Sequence, residues 1–147
     1  DALAARLLAP AGRIAGPDVP ADARADIARG VAVARALGTV DVGQAVVVQG
    51  DLVLGVEAAE GTDALLARCG GLKRRGPGGV LVKGRKPGQE RRVDLPTIGP
   101  ATLRGAAAAG LRGVAVEAGH TLVADLAGLE RAAGETGLFV VGVEAWA

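Results

Sequence analysis

Apolar and polar positions alternate along the chain in short, distinct segments. In 22–37, Ile27, Val31, Ala34 and Leu37 recur at helical spacing while Arg24, Asp26, Arg29 and Arg35 fall mostly elsewhere. That pattern predicts an amphipathic helix, with Gly38 as its C-cap. Residues 44–49 (QAVVVQ) and 52–57 (LVLGVE) are strand-like runs on either side of Gly50-Asp51, a hairpin signal. Thr62 or Asp63 can cap a helix through about residue 68, closed by Gly70-Gly71. A strand is predicted over 80–83, followed by a polar, irregular stretch to about 93. Pro100 occupies the favoured first position of a helix reaching Ala109. A strand over 113–117, a helix over 125–135 and a last strand over 138–143 complete the series. At the other end, residues 1–9 read as the end of a helix, broken by Pro10-Ala11-Gly12.

Valine-rich strands alternating with alanine-rich helices predict an α/β layered domain. The hairpin at Gly50 makes the sheet mixed rather than purely parallel. Half of the 147 residues are apolar, but Phe139 and Trp146 are the only aromatics. The core must therefore be built from Val, Leu, Ile and Ala packed closely.

Composition then removes whole classes of function. A net charge of +1 gives no global field to hold nucleic acid, and the lack of aromatics removes base-stacking platforms. One cysteine, Cys69, excludes an internal disulfide framework and fits a reducing, cytoplasmic compartment. No apolar run approaches the roughly 18 residues of a membrane helix. The chain contains no methionine and opens on Asp1, so it is expected to be a piece of a longer protein. Its domain organisation is read as a helical lead-in over 1–40, following an N-terminal domain that lies outside this chain, and a catalytic α/β domain over 41–147.

Common catalytic motifs are missing. There is no phosphate-binding G-x-x-x-x-G-K-[ST] loop, and Gly76-Pro77-Gly78-Gly79 precedes a strand where a dinucleotide fingerprint would follow one. The chain has no serine, hence no nucleophile elbow. Cys69 and His120 read as structural residues, and they are too few for zinc. Any metal bound here would be a hard, oxygen-ligated ion such as magnesium.

Two stretches carry candidate chemistry. In the first, Glu57, Glu60, Thr62 and Asp63 fall where a strand hands over to a helix, a place where ligands of α/β sheets sit. Helix capping and solvation explain the same residues equally well. In the second, Lys73, Arg74, Arg75, Lys83, Arg85, Lys86, Arg91 and Arg92 are opposed within 69–92 by the single acid Glu90. Cations on a Gly- and Pro-rich loop can converge on phosphate oxygens. Asp94, a lone acid in basic and apolar company, would be ionised and could hold a metal or position water. The alternative is a solvated basic loop with Asp94 in a salt bridge. Together, the two stretches supply what phosphoanhydride hydrolysis needs: cations for the diphosphate, carboxylates for Mg²⁺ and a group to orient water.

The spacing Lys83-x-x-Lys86-Pro87-x-Gln89-x-x-Arg92-x-Asp94-x-Pro96-x-x-Gly99, with Glu57 and Glu60-Gly61-Thr62-Asp63, resembles the C-terminal domain of the LpxI-type UDP-2,3-diacylglucosamine pyrophosphatases. Ala118-Gly119 followed by Leu122 fits the same pattern, whereas Glu90 stands where Asp is expected and is given no role. The resemblance implies a magnesium-dependent enzyme of lipid A biosynthesis that cleaves UDP-2,3-diacylglucosamine to UMP and 2,3-diacylglucosamine 1-phosphate (lipid X). It also implies an N-terminal domain, with the lipid-linked sugar nucleotide bound between the two. Carried over by position, Asp94, Asp63 and Glu60 are the catalytic candidates, and Asp94, Glu60, Asp63 and Glu57 the metal-ligand candidates. Lys83, Lys86, Gln89 and Arg92 would hold phosphate, and Thr62 and Thr97 would hydrogen-bond ligand oxygens. The basic loop suits contact with an anionic inner-membrane surface, as in a peripheral enzyme collecting a lipid. Self-association is left open. The competing readings are a non-catalytic module binding a phosphorylated ligand or RNA, and an assembly domain.

Overall fold

The computed structural model describes residues 6–86, 95–144 and 146. Within them, the central element is a six-stranded mixed sheet. Its strands are β2 (Gly12–Ala15), β3 (Ala45–Gln49), β4 (Leu52–Val56), β5 (Val80–Lys83), β7 (Gly113–Glu117) and β9 (Phe139–Val143), in the spatial order β2-β9-β7-β5-β3-β4. The middle strands β5, β7 and β9 run parallel, and β2 and β3 flank them antiparallel. Continuous burial of β3, β5 and β7 explains their unbroken apolar runs, because both faces of each strand are covered.

Alternation along the strands sorts the core into two halves. Val46, Val48, Val80, Val82 and Ala115 pack with Ile27 and Ala34 of helix α1 (Arg24–Thr39). Val47, Leu81, Val114 and Val116 face the opposite way. They pack against Leu65 and Leu66 of α2 (Thr62–Cys69), Leu103 of α3 (Pro100–Ala108) and Leu129 of α4 (Leu126–Thr136). The result is a three-layer α/β arrangement. Gly30 lets α1 lie close to the sheet: a Cβ there would fall 2.4 Å from a Val82 methyl. Cys69 is fully buried among the α2-side residues, and burial pushes its thiol pKa up, as expected of a structural cysteine.

The predicted hairpin forms, with Gly50 and Asp51 at φ +57° and +66°, the left-handed values a tight two-residue turn needs. Asp26 of α1 secures it, accepting hydrogen bonds from Gly50 N (3.0 Å) and Asp51 N (2.7 Å).

The pattern reading fails at the beginning of the chain. Residues 6–8 form a strand, β1 (Arg6–Leu8), where the end of a helix was expected. It pairs antiparallel with β8 (Leu122–Ala124), which also pairs with β6 (Thr97–Ile98), making a small second sheet. Helix α1 extends to Thr39, so Gly38 lies inside it rather than capping it. Among the described residues, no helix is long and apolar enough to cross a membrane.

Candidate functional site

Strand direction determines which residues meet. Because β3 runs antiparallel to β5, Ala45 lies opposite Lys83, and the start of β3 sits beside the end of β5. Strand β4 returns to that same edge, where Glu57 N donates to Ala45 O at 2.9 Å. Glu57, Glu60, Thr62, Asp63, Lys83, Lys86 and Thr97 therefore line one cleft of about 860 Å³. Gln89, Arg92 and Asp94 lie outside the described residues.

The turn from β4 into α2 is shaped by Gly61, which sits at φ +88° and ψ 165°. This region is open essentially to glycine alone. Neither Thr62 nor Asp63 caps the helix; Gly61 holds the N-cap position, and Thr62 turns its hydroxyl elsewhere. Thr62 Oγ1 donates to Glu57 Oε2 at 2.8 Å, and Gln44 N donates to Glu57 Oε1 at 3.1 Å. Glu57 is buried, so both of its carboxylate oxygens are spent joining the start of β3 to the first turn of α2.

Glu60 is likewise engaged. Arg68, one helical face along α2, grips both of its oxygens, at 2.5 Å through Nη2 and 3.3 Å through Nε, while Nη2 also donates to Val56 O. The Arg68 hydrogen bond holds the Glu60 carboxyl below its usual pKa, so it stays ionised. Asp63 is exposed on the first turn of α2 and makes no hydrogen bond or ion pair with another described residue.

Lys83 is the buried cation of the cleft, 8 % exposed, with Nζ donating to Thr97 O at 3.4 Å. Burial pushes its pKa down, and the nearby carboxylates of Glu57 and Asp63 push it back up. Lys86 reaches the same cleft and pairs with Asp41 at 3.4 Å. Two buried or half-buried lysines facing a carboxylate cluster can bind an anion that itself brings a countercharge, such as a metal-complexed phosphate.

The carboxylates are right in kind for a hard divalent cation, since they offer only oxygen. Among the described residues, however, they do not form a group of three placed to hold one. Glu57 is committed to Gln44 and Thr62, Glu60 to Arg68 and Asp41 to Lys86, which leaves Asp63 as the described carboxylate suited to the task.

The basic residues do not converge as their proximity in sequence implied. Lys73, Arg74 and Arg75 precede β5, whereas Lys83 ends it and Lys86 follows it, so the strand holds the two sets at its opposite ends. At the far end, buried Gln49 binds Arg74 O (2.8 Å), Pro77 O (2.9 Å) and Arg74 N (2.8 Å), fixing that loop beneath the hairpin turn.

Asp41, Gln44, Ala101 and Thr102 also line the cleft and carry no motif in the sequence. Only the β3–β5 register, a non-local fact, could have pointed to Asp41 and Gln44. A separate cavity of about 610 Å³ lies across the sheet between α1 and β9, lined by Val19, Ile27, Val31, Val141 and Val143.

Comparison with known proteins places the chain in a family. The family model of the LpxI C-terminal domain matches residues 10–141. A protein from Caulobacter vibrioides, the UDP-2,3-diacylglucosamine pyrophosphatase LpxI, is 48 % identical over 141 residues, covering 92 % of this chain and 50 % of that protein. The chain thus spans about half the length of the curated relative it matches.

Proposed function

The chain belongs to the LpxI C-terminal domain family, and from that premise we propose that it supplies the cleft in which a UDP-2,3-diacylglucosamine diphosphate is hydrolysed to UMP and 2,3-diacylglucosamine 1-phosphate. One observation carries this reading: Glu57, Asp63, Lys83, Lys86 and Thr97, drawn from four separate segments, line a single polar cleft at the carboxyl end of the parallel strand β5. Ligands of open α/β sheets bind at such ends.

Each group has a definable part. Lys83 and Lys86 would neutralise diphosphate oxygens, with Lys83 acting from a site of low effective dielectric where a charge counts for more. Thr97 would hydrogen-bond ligand oxygens, and Gln89 and Arg92 would extend the phosphate contacts, whereas the Thr62 hydroxyl, expected to do the same, already donates to Glu57. Glu57 and Glu60 act here as struts, Glu57 fixing the α2 turn and Glu60 bracing it through Arg68. Asp94 is the proposed water-orienting carboxylate. It precedes Thr97 by three residues, a spacing that limits their Cα separation to about 11 Å, and Thr97 lines the cleft. Asp63 and Asp94 are the residues that would hold Mg²⁺, which when bound would offset the diphosphate charge.

The proposed reaction is a displacement in which a water oxygen bonds to one phosphorus, the P–O bond to the bridging oxygen breaks so that the other phosphate leaves carrying that oxygen, and a water proton passes to the Asp94 carboxylate. The second half of the protein, by analogy with the twofold longer relative, would close over the nucleotide and acyl chains. A lipid substrate also calls for access to a membrane surface. The test is release of UMP from UDP-2,3-diacylglucosamine by the full-length protein with Mg²⁺. Loss of that release in Lys86→Ala, through weaker substrate binding, supports the reading, and wild-type affinity in Lys86→Ala removes Lys86 from it.

A further inference from the structure

Glu117 belongs to no motif assigned above, yet it is a buried carboxylate at the end of β7, one strand from Lys83. A buried charge is costly unless it is paired and hydrogen-bonded. Its partners are both on Arg85: Arg85 N donates to Oε1 at 3.1 Å, and Arg85 Nε lies 3.8 Å from Oε2. Glu117 does not line the cleft. By alternation it shares the face of Ala115, the α1 side of the sheet, while Lys83 shares the face of Leu81, the α2 side.

The residues that Glu117 holds lie where β5 ends. Gly84 N donates to Gln44 O at 2.9 Å, Arg85 is held by Glu117, and Lys86 enters the cleft. On the same side as Glu117, the ring of Trp146 lies so close to Gly84 that a Cβ there would fall 2.4 Å from it. Gly84 and Arg85 are thus fixed from behind the sheet, and Lys86 projects on the other side.

We propose that Glu117 is a positioning residue for the cleft, its carboxylate fixing the Arg85 backbone so that Lys86 is presented to the diphosphate. This rests on the reading of the cleft as a diphosphate site. Glu117 touches no substrate; it acts through Arg85.

The test uses the full-length protein, with inorganic pyrophosphate binding by calorimetry and the KM and kcat of UMP release as readouts. Glu117→Ala is expected to weaken pyrophosphate binding and raise KM about tenfold, the scale of one charge-assisted hydrogen bond. Glu117→Gln, which keeps an acceptor for Arg85 N, is expected to restore most of that loss. In a Lys86→Ala background, Glu117→Ala is expected to add little, because both changes remove the same contact. Trp146 emission, measured as the difference from Trp146→Phe, should shift in Glu117→Ala and not in Glu117→Gln.

Full additivity with Lys86→Ala, or equal damage from Ala and Gln, would overturn the proposal, as would failure of the wild type to bind pyrophosphate. If Glu117→Ala does not fold, Glu117→Gln alone decides: pyrophosphate binding and KM close to wild type are expected, and losses as large as those of Lys86→Ala contradict the proposal. A wild type that binds pyrophosphate in the expected pattern yet releases no UMP would remove the hydrolase reading while leaving the positioning role of Glu117 in place.

Discussion

Lys83 and Thr97 are fourteen residues apart in the chain, yet the Lys83 ammonium donates to the Thr97 carbonyl at 3.4 Å. The bond joins the end of β5 to the start of β6 and sets a buried cation at the floor of the polar cleft. Everything proposed for the chemistry depends on that charge being held there at a cost.

The cost has a measurable sign. Burial lowers the Lys83 pKa from its usual 10.5. Between the folded value and 10.5, the unfolded chain binds the proton more readily than the folded one, so stability rises with pH across that window. Cys69, whose pKa burial raises above 9.0, contributes the opposite slope. A difference measurement separates them. The stability of the wild type minus that of Lys83→Met should grow more positive as pH rises toward 10.5, as read by urea unfolding. A difference independent of pH would show that Lys83 is not desolvated. At neutral pH, Lys83→Met should lose at least about tenfold in pyrophosphate affinity, the scale of a charged hydrogen bond.

Thr62→Val is nearly isosteric but removes the donor to Glu57 Oε2, leaving one oxygen of a buried carboxylate without its partner. A loss of about 1–3 kcal/mol in unfolding free energy is expected, with a drop in turnover as the α2 turn loosens. Thr62→Ser, which retains the hydroxyl, should recover most of both. Denaturation midpoints and UMP release measured on both variants check this, and equal stability of Val and Ser would refute it.

Asp26→Ala tests the fold apart from the site. Its carboxylate serves the backbone N–H groups of Gly50 and Asp51 at the far edge of the sheet from Lys83. Destabilisation of about 1–3 kcal/mol is expected, with kcat and KM unchanged at temperatures where the variant remains folded. A change in KM would mean that the two sheet edges are coupled.

These contrasts also mark what the sequence makes legible. The strands β3, β5 and β7 announce themselves because each is buried on both faces and so is written as a largely apolar run. The Gly50-Asp51 turn is equally plain, since its backbone needs residues that tolerate positive φ. The small sheet is invisible beforehand. Thr97–Ile98 and Leu122–Ala124 are too short for any period, and Arg6–Leu8 sits in a Leu- and Ala-rich stretch of high helix propensity that only pairing with β8 overrides.

The acidic and basic stretches were legible as chemistry but not as geometry. Proximity in sequence suggests one basic cluster, but β5 puts Lys73–Arg75 near its start and Lys83 at its end. Glu57 reads as a metal ligand until Gln44 and Thr62 are found on its two oxygens. Arg68 and Glu117 could not have been singled out, because what they do depends on which residues the fold brings beside them.

Hydrolysis of the sugar-nucleotide diphosphate in this cleft, with Asp94 orienting the water, is the proposal on which the rest depends. The most direct measurement is UMP release from UDP-2,3-diacylglucosamine by the full-length protein with Mg²⁺, wild type beside Asp94→Ala, with substrate binding measured in parallel. Steady release is expected from the wild type and, in Asp94→Ala, a loss of turnover with fold and substrate binding retained. Near-normal release by Asp94→Ala, or none by a folded wild type, would contradict the proposal.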